Sequence, residues 1–302
     1  MTAPLPPGPV RLAAACYPIE HLSGWEALAD KLGRWVAEAA AEGADIAVLP
    51  EYAGLEAAFA LASGPATTAE WCDASAAVAG RYAALCATLA QDRRLTLLAG
   101  SLPARVEGRL VNRAWLCRPD GQVLAQDKQI LTPWERAHTP LVAGAPLAPL
   151  DTDMGRLATL VCYDAEFPPL ARALAPDILL IPSCTEARAG DARVRAAARA
   201  RALEGQCISV HAPLIGAVPS CEIVDFDTGA AGIFAPPDDP FPADGVLARG
   251  APDTPGWVVA EVAEGALGAT RAAGAVAPRA HMAEAEERAA QVAERARRQL
   301  GP

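Results

Sequence analysis

The chain has 302 residues, 52% of them apolar, and a net charge of −10, so it can bury one large core or two small ones. A pI near 5.0 argues against nucleic acid or an anionic membrane surface as the main partner. No apolar run is long enough to span a bilayer, and the Pro-rich residues 1–9 lack the apolar centre of a secretory signal.

Residues 10–16 read as a first strand. Residues 12–16 faintly resemble a lipoprotein cleavage box but lack the apolar segment such a box needs. Residues 24–42 are amphipathic, with Leu28, Leu32, Trp35, Val36 and Ala39 at helical spacing, and Gly43 ends that helix. Residues 45–49 form a short apolar strand closed by Pro50-Glu51. A long helix over 68–91 follows, entered through Thr67 or Thr68 with Glu70 in its first turn. The next strand is 95–99. Strands 110–117 and 122–126 flank Pro119-Asp120-Gly121, a turn signal, and make a hairpin with Lys128 just past its end.

Residues 140–153 read as loop and strand edge, and 156–161 as a buried strand that delivers Cys162. A helix begins near Pro168-Pro169. Strand 177–181, helix 191–203 and strand 207–210 follow. Late strands at 229–235 and 256–262 surround a Pro/Asp loop, and 281–300 is a charged, Ala-rich helix. The alternation of strands and helices, with hairpins mixed in later, gives an α/β domain over residues 10–278. Residues 1–9 form a Pro-rich tail and 279–302 a charged C-terminal helix, which is either solvated, the commoner outcome for a terminal helix, or packed on a partner subunit.

Eight cysteines are scattered through apolar segments, which suits reduced thiols in a cytoplasm rather than a disulfide framework. No CxxC pair or Cys/His cluster offers a metal site. Only two of the 26 basic residues are lysines, Lys31 and Lys128. Lys31 is expected on a solvated helix surface. Lys128, at a strand end, is a candidate for chemistry that arginine cannot supply.

Three reactive residues thus follow three strand ends: Glu51, Lys128 and Cys162. Strand ends on one sheet edge converge, and α/β enzymes place their sites there. A carboxylate can take a thiol proton, an ammonium with a backbone N–H can hold an oxyanion, and a thiolate can attack an electrophilic carbon.

Val48-Leu49-Pro50-Glu51-Tyr52, Asp127-Lys128-Gln129-Ile130-Leu131 and Val161-Cys162-Tyr163-Asp164 with Phe167-Pro168 resemble the Glu–Lys–Cys triad of the nitrilase superfamily of carbon–nitrogen hydrolases. The resemblance runs from about Val10 to Val262. It implies a four-layer αββα sandwich that pairs into dimers or larger homo-oligomers. It also implies cofactor-free hydrolysis of a non-peptide C–N bond in a small amide or carbamoyl compound. Glu51 would be the base, Cys162 the nucleophile, and Lys128 with the Tyr163 N–H the oxyanion holders. Glu135 is the candidate for the second glutamate that positions substrate in many members, and Trp134 a candidate pocket wall.

Other residues depart from the family pattern. Cys16 stands where many members have glutamine, His211 where many have asparagine, and Pro169 where an acidic residue is common. Ser183-Cys184-Thr185 replaces the commoner Asn-Pro-Ser. These departures leave the substrate open. Cys184 is expected to be structural, His138 and His211 to be packing or surface residues, and Asp151-Thr152-Asp153 to be a turn. Three further functions stand beside the amidase. They are a nitrilase using the same triad, a catalytically silent binding protein of the same fold, and a Cys–His hydrolase pairing Cys162 with His211.

Overall fold

A computed structural model describes residues 8–61 and 64–300, so residues 1–7 of the Pro-rich tail lie outside the described residues. The first half runs β1 (Val10–Ile19), α1 (Trp25–Ala41), β2 (Ile46–Leu49), α2 (Leu55–Leu61), α3 (Thr68–Arg93), β3 (Thr96–Val106), β4 (Arg109–Cys117), β5 (Val123–Asp127) and α4 (Pro133–His138). The second half runs β6 (Leu150–Thr152), β7 (Gly155–Thr159), a 3-10 turn (Cys162–Glu166), α5 (Pro168–Leu174), β8 (Ile178–Ser183), α6 (Arg188–Gly205), β9 (Ile208–Gly216), β10 (Gly232–Phe234), β11 (Val246–Arg249), β12 (Gly256–Val262), α7 (Ala266–Ala273) and α8 (Met282–Leu300).

The strand order β5-β4-β3-β2-β1-β9-β8-β7-β6 is continuous, but β1 divides it into two halves. Its first residues pair with β2 in parallel and β12 antiparallel. Its last residues, Tyr17 to Ile19, cross to pair with Leu214 to Gly216 of β9. The halves fold face to face around this shared strand. Side-chain alternation does the sorting. In β1, Leu12, Ala14 and Cys16 turn into the core shared with the second half, while Ala13, Ala15 and Tyr17 face the core under α1 and α3. On the far side α6 covers β9, burying Val194, Ala198 and Ala202. The architecture is therefore the four-layer αββα sandwich.

The long helices obey local rules. In α3, Thr67 accepts the Glu70 N–H and Glu70 reaches back to the Thr67 N–H, a capping box at the end the sequence assigns. α1 buries Leu28, Leu32, Val36 and Ala39 on its expected stripe. Four elements escape the sequence reading: α2, α4, β11 and α7. α2 is seven residues with Leu55 to Phe59 all buried, so it shows no amphipathic period. The others span eight residues or fewer, too short for periodicity to show.

Lys31 is a correction. It is buried rather than solvated, and its Nζ donates to Glu56 Oε1 at 2.6 Å and to the Pro18 carbonyl at 2.6 Å. Glu56 also accepts the Tyr17 hydroxyl at 2.6 Å. The partner carboxylate sits on α2, the helix without a sequence signal, so the pair was invisible. Burial pushes the Glu56 carboxyl up, with Lys31 pulling against it, to about 6. Lys31→Met leaves that carboxylate without its cation, and unfolding in urea should show a loss of about 3–5 kcal/mol. A loss under about 1 kcal/mol would mean that Glu56 simply takes up a proton at little cost.

Candidate active site

Each half of the sandwich contributes part of one constellation. Glu51 follows β2 in a tight turn that Gly100 makes possible. Gly100 has φ +68°, and a Cβ there would lie 2.2 Å from the Pro50 carbonyl oxygen. Tyr52 then adopts φ 60°, with its N–H donating to Ser101 Oγ at 3.1 Å. Lys128 follows β5, its N–H donating to the Asn112 carbonyl at 2.9 Å. Both residues stand on the first half of the sheet. Cys162 comes from the second half, three residues beyond β7, so the three strand ends converge across the sandwich and not along one edge. Cys162 has φ 50°, a left-handed conformation costly for a side chain, and opens the 3-10 turn.

Asp164 ties the halves together. Its buried carboxylate accepts the Gln129 N–H at 3.1 Å and the Ile130 N–H at 2.8 Å. The segment after Lys128 is thereby hung on the turn that carries Cys162.

Lys128 is the electrostatic hub. Its Nζ donates to Glu51 Oε1 and to Glu135 Oε1, each at 2.8 Å, and all three side chains are buried. Glu51 also accepts the Asn112 amide at 2.9 Å and the Cys184 N–H at 3.1 Å. Glu135 accepts the Tyr52 hydroxyl at 2.7 Å and the Thr132 N–H at 2.7 Å. It closes a capping box on α4 with Thr132, so one carboxylate starts the helix and meets the lysine. The Cys162 thiol lies beside Glu51, and its hydrogen bond in this conformation goes to the Cys184 carbonyl at 3.5 Å.

The two glutamates diverge. Burial pushes Glu51 up, Lys128 opposes it and the Glu135 charge adds to it, leaving Glu51 at about 7. Burial also acts on Glu135, but Lys128, the Thr132 N–H and the Tyr52 hydroxyl outweigh it and hold Glu135 below its ordinary value. Burial alone would lower Lys128, yet the two carboxylates hold it well above the ordinary lysine range. Burial and the Glu51 charge raise the Cys162 thiol well above its ordinary value, against the pull of Lys128. The resting thiol is therefore protonated, with a base near neutrality next to it.

These groups open into a cavity of about 390 Å³. Glu51, Lys128, Cys162, Tyr163, Trp134 and Glu135 all line it, so the six residues to which the resemblance gives a site role reach the same space. Cys184 lines it too, with its thiol and its N–H both engaged in supporting hydrogen bonds. Its backbone N–H holds Glu51, and its Sγ donates to Asp227 Oδ1 at 2.9 Å. His211 does not line it. It is buried in β9 and shares a 2.8 Å hydrogen bond with Ser183 Oγ, an arrangement for packing and not for a Cys–His pair. His138 is exposed against the Trp134 carbonyl. Asp151 pairs with Arg156 across the β6–β7 hairpin, as the turn reading expects. Among the described residues no three His, Cys, Asp or Glu side chains cluster as a metal set.

Sequence reasoning missed Asn112, the positioning role of Asp164, and Asp227. Asn112 left a signal, a polar residue at a buried position in an apolar strand. Asp227 left none, because it arrives on an irregular loop after β9.

Comparisons with known proteins bear on the family and the fold. The carbon-nitrogen hydrolase family model matches residues 11–228. A probable hydrolase of Bacillus subtilis, YhcX, is 33% identical over 84% of this chain, which spans 50% of YhcX. A deaminated glutathione amidase of Synechocystis is 31% identical over 58% of the chain and 66% of that protein. Among solved structures, the C. elegans NitFhit protein superposes with a TM-score of 0.71 at 21% identity, covering 88% of this chain and 64% of that one. With the carbon-nitrogen hydrolase model matched over most of the sandwich, and solved structures of the same fold beside it, the chain belongs to the carbon-nitrogen hydrolase family.

Proposed function

We propose that the chain is an amidase-type hydrolase that cleaves a small amide or carbamoyl compound through a thioester on Cys162, releasing ammonia or an amine. The observation that carries this reading is the buried Glu51–Lys128–Glu135 network closing on one thiol in one cavity. Relatives named as amidases support amides over nitriles.

The chemistry follows from the proton inventory. Ionised Glu51 takes the Cys162 proton as Sγ attacks the carbonyl carbon. Lys128 has three N–H donors, and two are engaged by the glutamates. The third can meet the oxyanion, alongside the Tyr163 N–H in the first turn of the 3-10 segment, where backbone donors lack intrahelical partners. Collapse breaks the C–N bond, and the amine leaves with the proton that Glu51 took up. Water then attacks the thioester, giving its proton to Glu51. A second collapse frees the acid, and the Cys162 sulfur regains its proton. Glu135 stays ionised and holds Lys128 in place.

Acid-quenching the enzyme during turnover of a panel of primary amides and nitriles tests this. Ammonia release from amides is expected, together with an acyl mass on the Cys162 peptide. Turnover without an adduct would rule out the covalent route, and faster release from nitriles would favour the nitrilase reading.

A further inference from the structure

Carboxylates dominate the cavity well beyond the two that the mechanism uses. Glu51 and Glu135 share Lys128, but Glu166, Glu186, Glu222, Asp225 and Asp227 also line the walls. Arg193 is the one further cation among the lining residues, and it stands 3.6 Å from Glu166. Glu222 has a neutral partner, the Thr68 hydroxyl at 3.0 Å. Such a cavity favours cations over anions, and low-dielectric walls strengthen its field.

Asp227 makes this more than an acidic rim. It is 4% exposed, and its backbone is bridged in both directions to Gly216 at the end of β9. Its Oδ1 accepts the Cys184 thiol, while its Oδ2 is buried with no hydrogen-bond partner among the described residues. Buried polar atoms without partners are rare and costly, and one on a carboxylate that lines a cavity points to a donor that arrives with a ligand. Burial, moderated by the Cys184 thiol and reinforced by Glu51, pushes the Asp227 carboxyl up to about 7. A bound cation would hold it ionised.

We infer that the substrate carries a cationic group, an ammonium or guanidinium, which Asp227 holds with the help of Glu186, Glu222 and Asp225. The inference rests on the amidase reading above and specifies its substrate class. The donors of such a group would satisfy Asp227 Oδ2, and its charge would offset the excess of carboxylates on the cavity walls.

A matched set tests it: δ-aminovaleramide, valeramide and glutaramic acid share an amide and a similar chain, and differ in the charge of the far end. Ammonia release should give δ-aminovaleramide a kcat/KM at least about tenfold above valeramide, with glutaramic acid lowest and the advantage shrinking in salt. Asp227→Asn should bring the ratio of the first two to within about threefold of unity, chiefly through KM. Asp225→Asn, on the exposed rim where folding is not at risk, should lower the same ratio by about two- to threefold.

Equal or better turnover of valeramide or glutaramic acid would overturn the cationic substrate and leave the amidase reading standing. An equal loss on all three amides in Asp227→Asn would make that residue structural and overturn its role. Ammonia from none of them, with no acyl group on Cys162, would overturn the amidase reading and this inference with it.

Discussion

Replacing Lys128 with methionine is expected to lower kcat/KM for the best amide by at least about 10³-fold. Two losses combine. The oxyanion forfeits its charged donor, worth about 10²–10³ by itself. Glu51 also loses the cation that keeps it near neutrality, while burial and the Glu135 charge continue to push it up. The base is then protonated at neutral pH. The wild-type enzyme should lose activity below about pH 7 as Glu51 takes up its proton, and the residual activity of Lys128→Met should rise only at higher pH. Lys128→Arg should rescue little, because a planar guanidinium cannot aim donors at two carboxylates and an oxyanion as an ammonium can. Circular dichroism and urea unfolding would establish that the variants fold. Full activity in a folded Lys128→Met protein would sink the assigned role.

Why the sequence points to Glu51, Lys128 and Cys162 and not to their surroundings is a matter of locality. Glu51, Lys128 and Cys162 each follow a strand whose apolar run or turn chemistry is written in adjacent residues. β2 is a run of four buried residues closed by Pro50, and β4–β5 is a hairpin around Asp120-Gly121. Glu135 had a local signature as well, the Thr132-x-x-Glu135 capping box, which separates it from a loop carboxylate. The burial of Lys31 depends on Glu56, on a helix with no amphipathic period. Asp227 depends on where an irregular loop crosses the other half of the sandwich. Asp164 sits inside a motif that was read for its cysteine, but its purpose is to bond the backbone at Gln129 and Ile130, which no spacing rule encodes. Strand-end chemistry is therefore legible, whereas cross-sandwich contacts wait for the fold.

The same burial that tunes Glu51 sets a conflict between activity and stability, and Glu51→Gln exposes it. In the unfolded chain this carboxyl loses its proton near its ordinary value of 4.5, whereas in the folded protein it does so at about 7. Between those values the folded state binds the extra proton. The stabilisation this group provides is therefore full below about pH 4.5 and is lost as pH rises through about 7. Above neutrality the ionised group weighs against the fold by about 3 kcal/mol. Glutamine cannot ionise, and its side-chain oxygen can still accept from Lys128, which also keeps Glu135; its amide nitrogen meets the Cys184 N–H donor to donor, which takes back part of the gain. Urea unfolding at pH 8 should find Glu51→Gln more stable than wild type by about 1–3 kcal/mol, with that advantage lost below about pH 4.5. Activity should fall by about 10³–10⁴-fold, since no base remains to take the thiol proton or to activate water. A variant that is both inactive and less stable at pH 8 would show that the ionised carboxylate supports the fold. Glu51 would then be a structural partner of Lys128, and the search for the base would turn to Glu135.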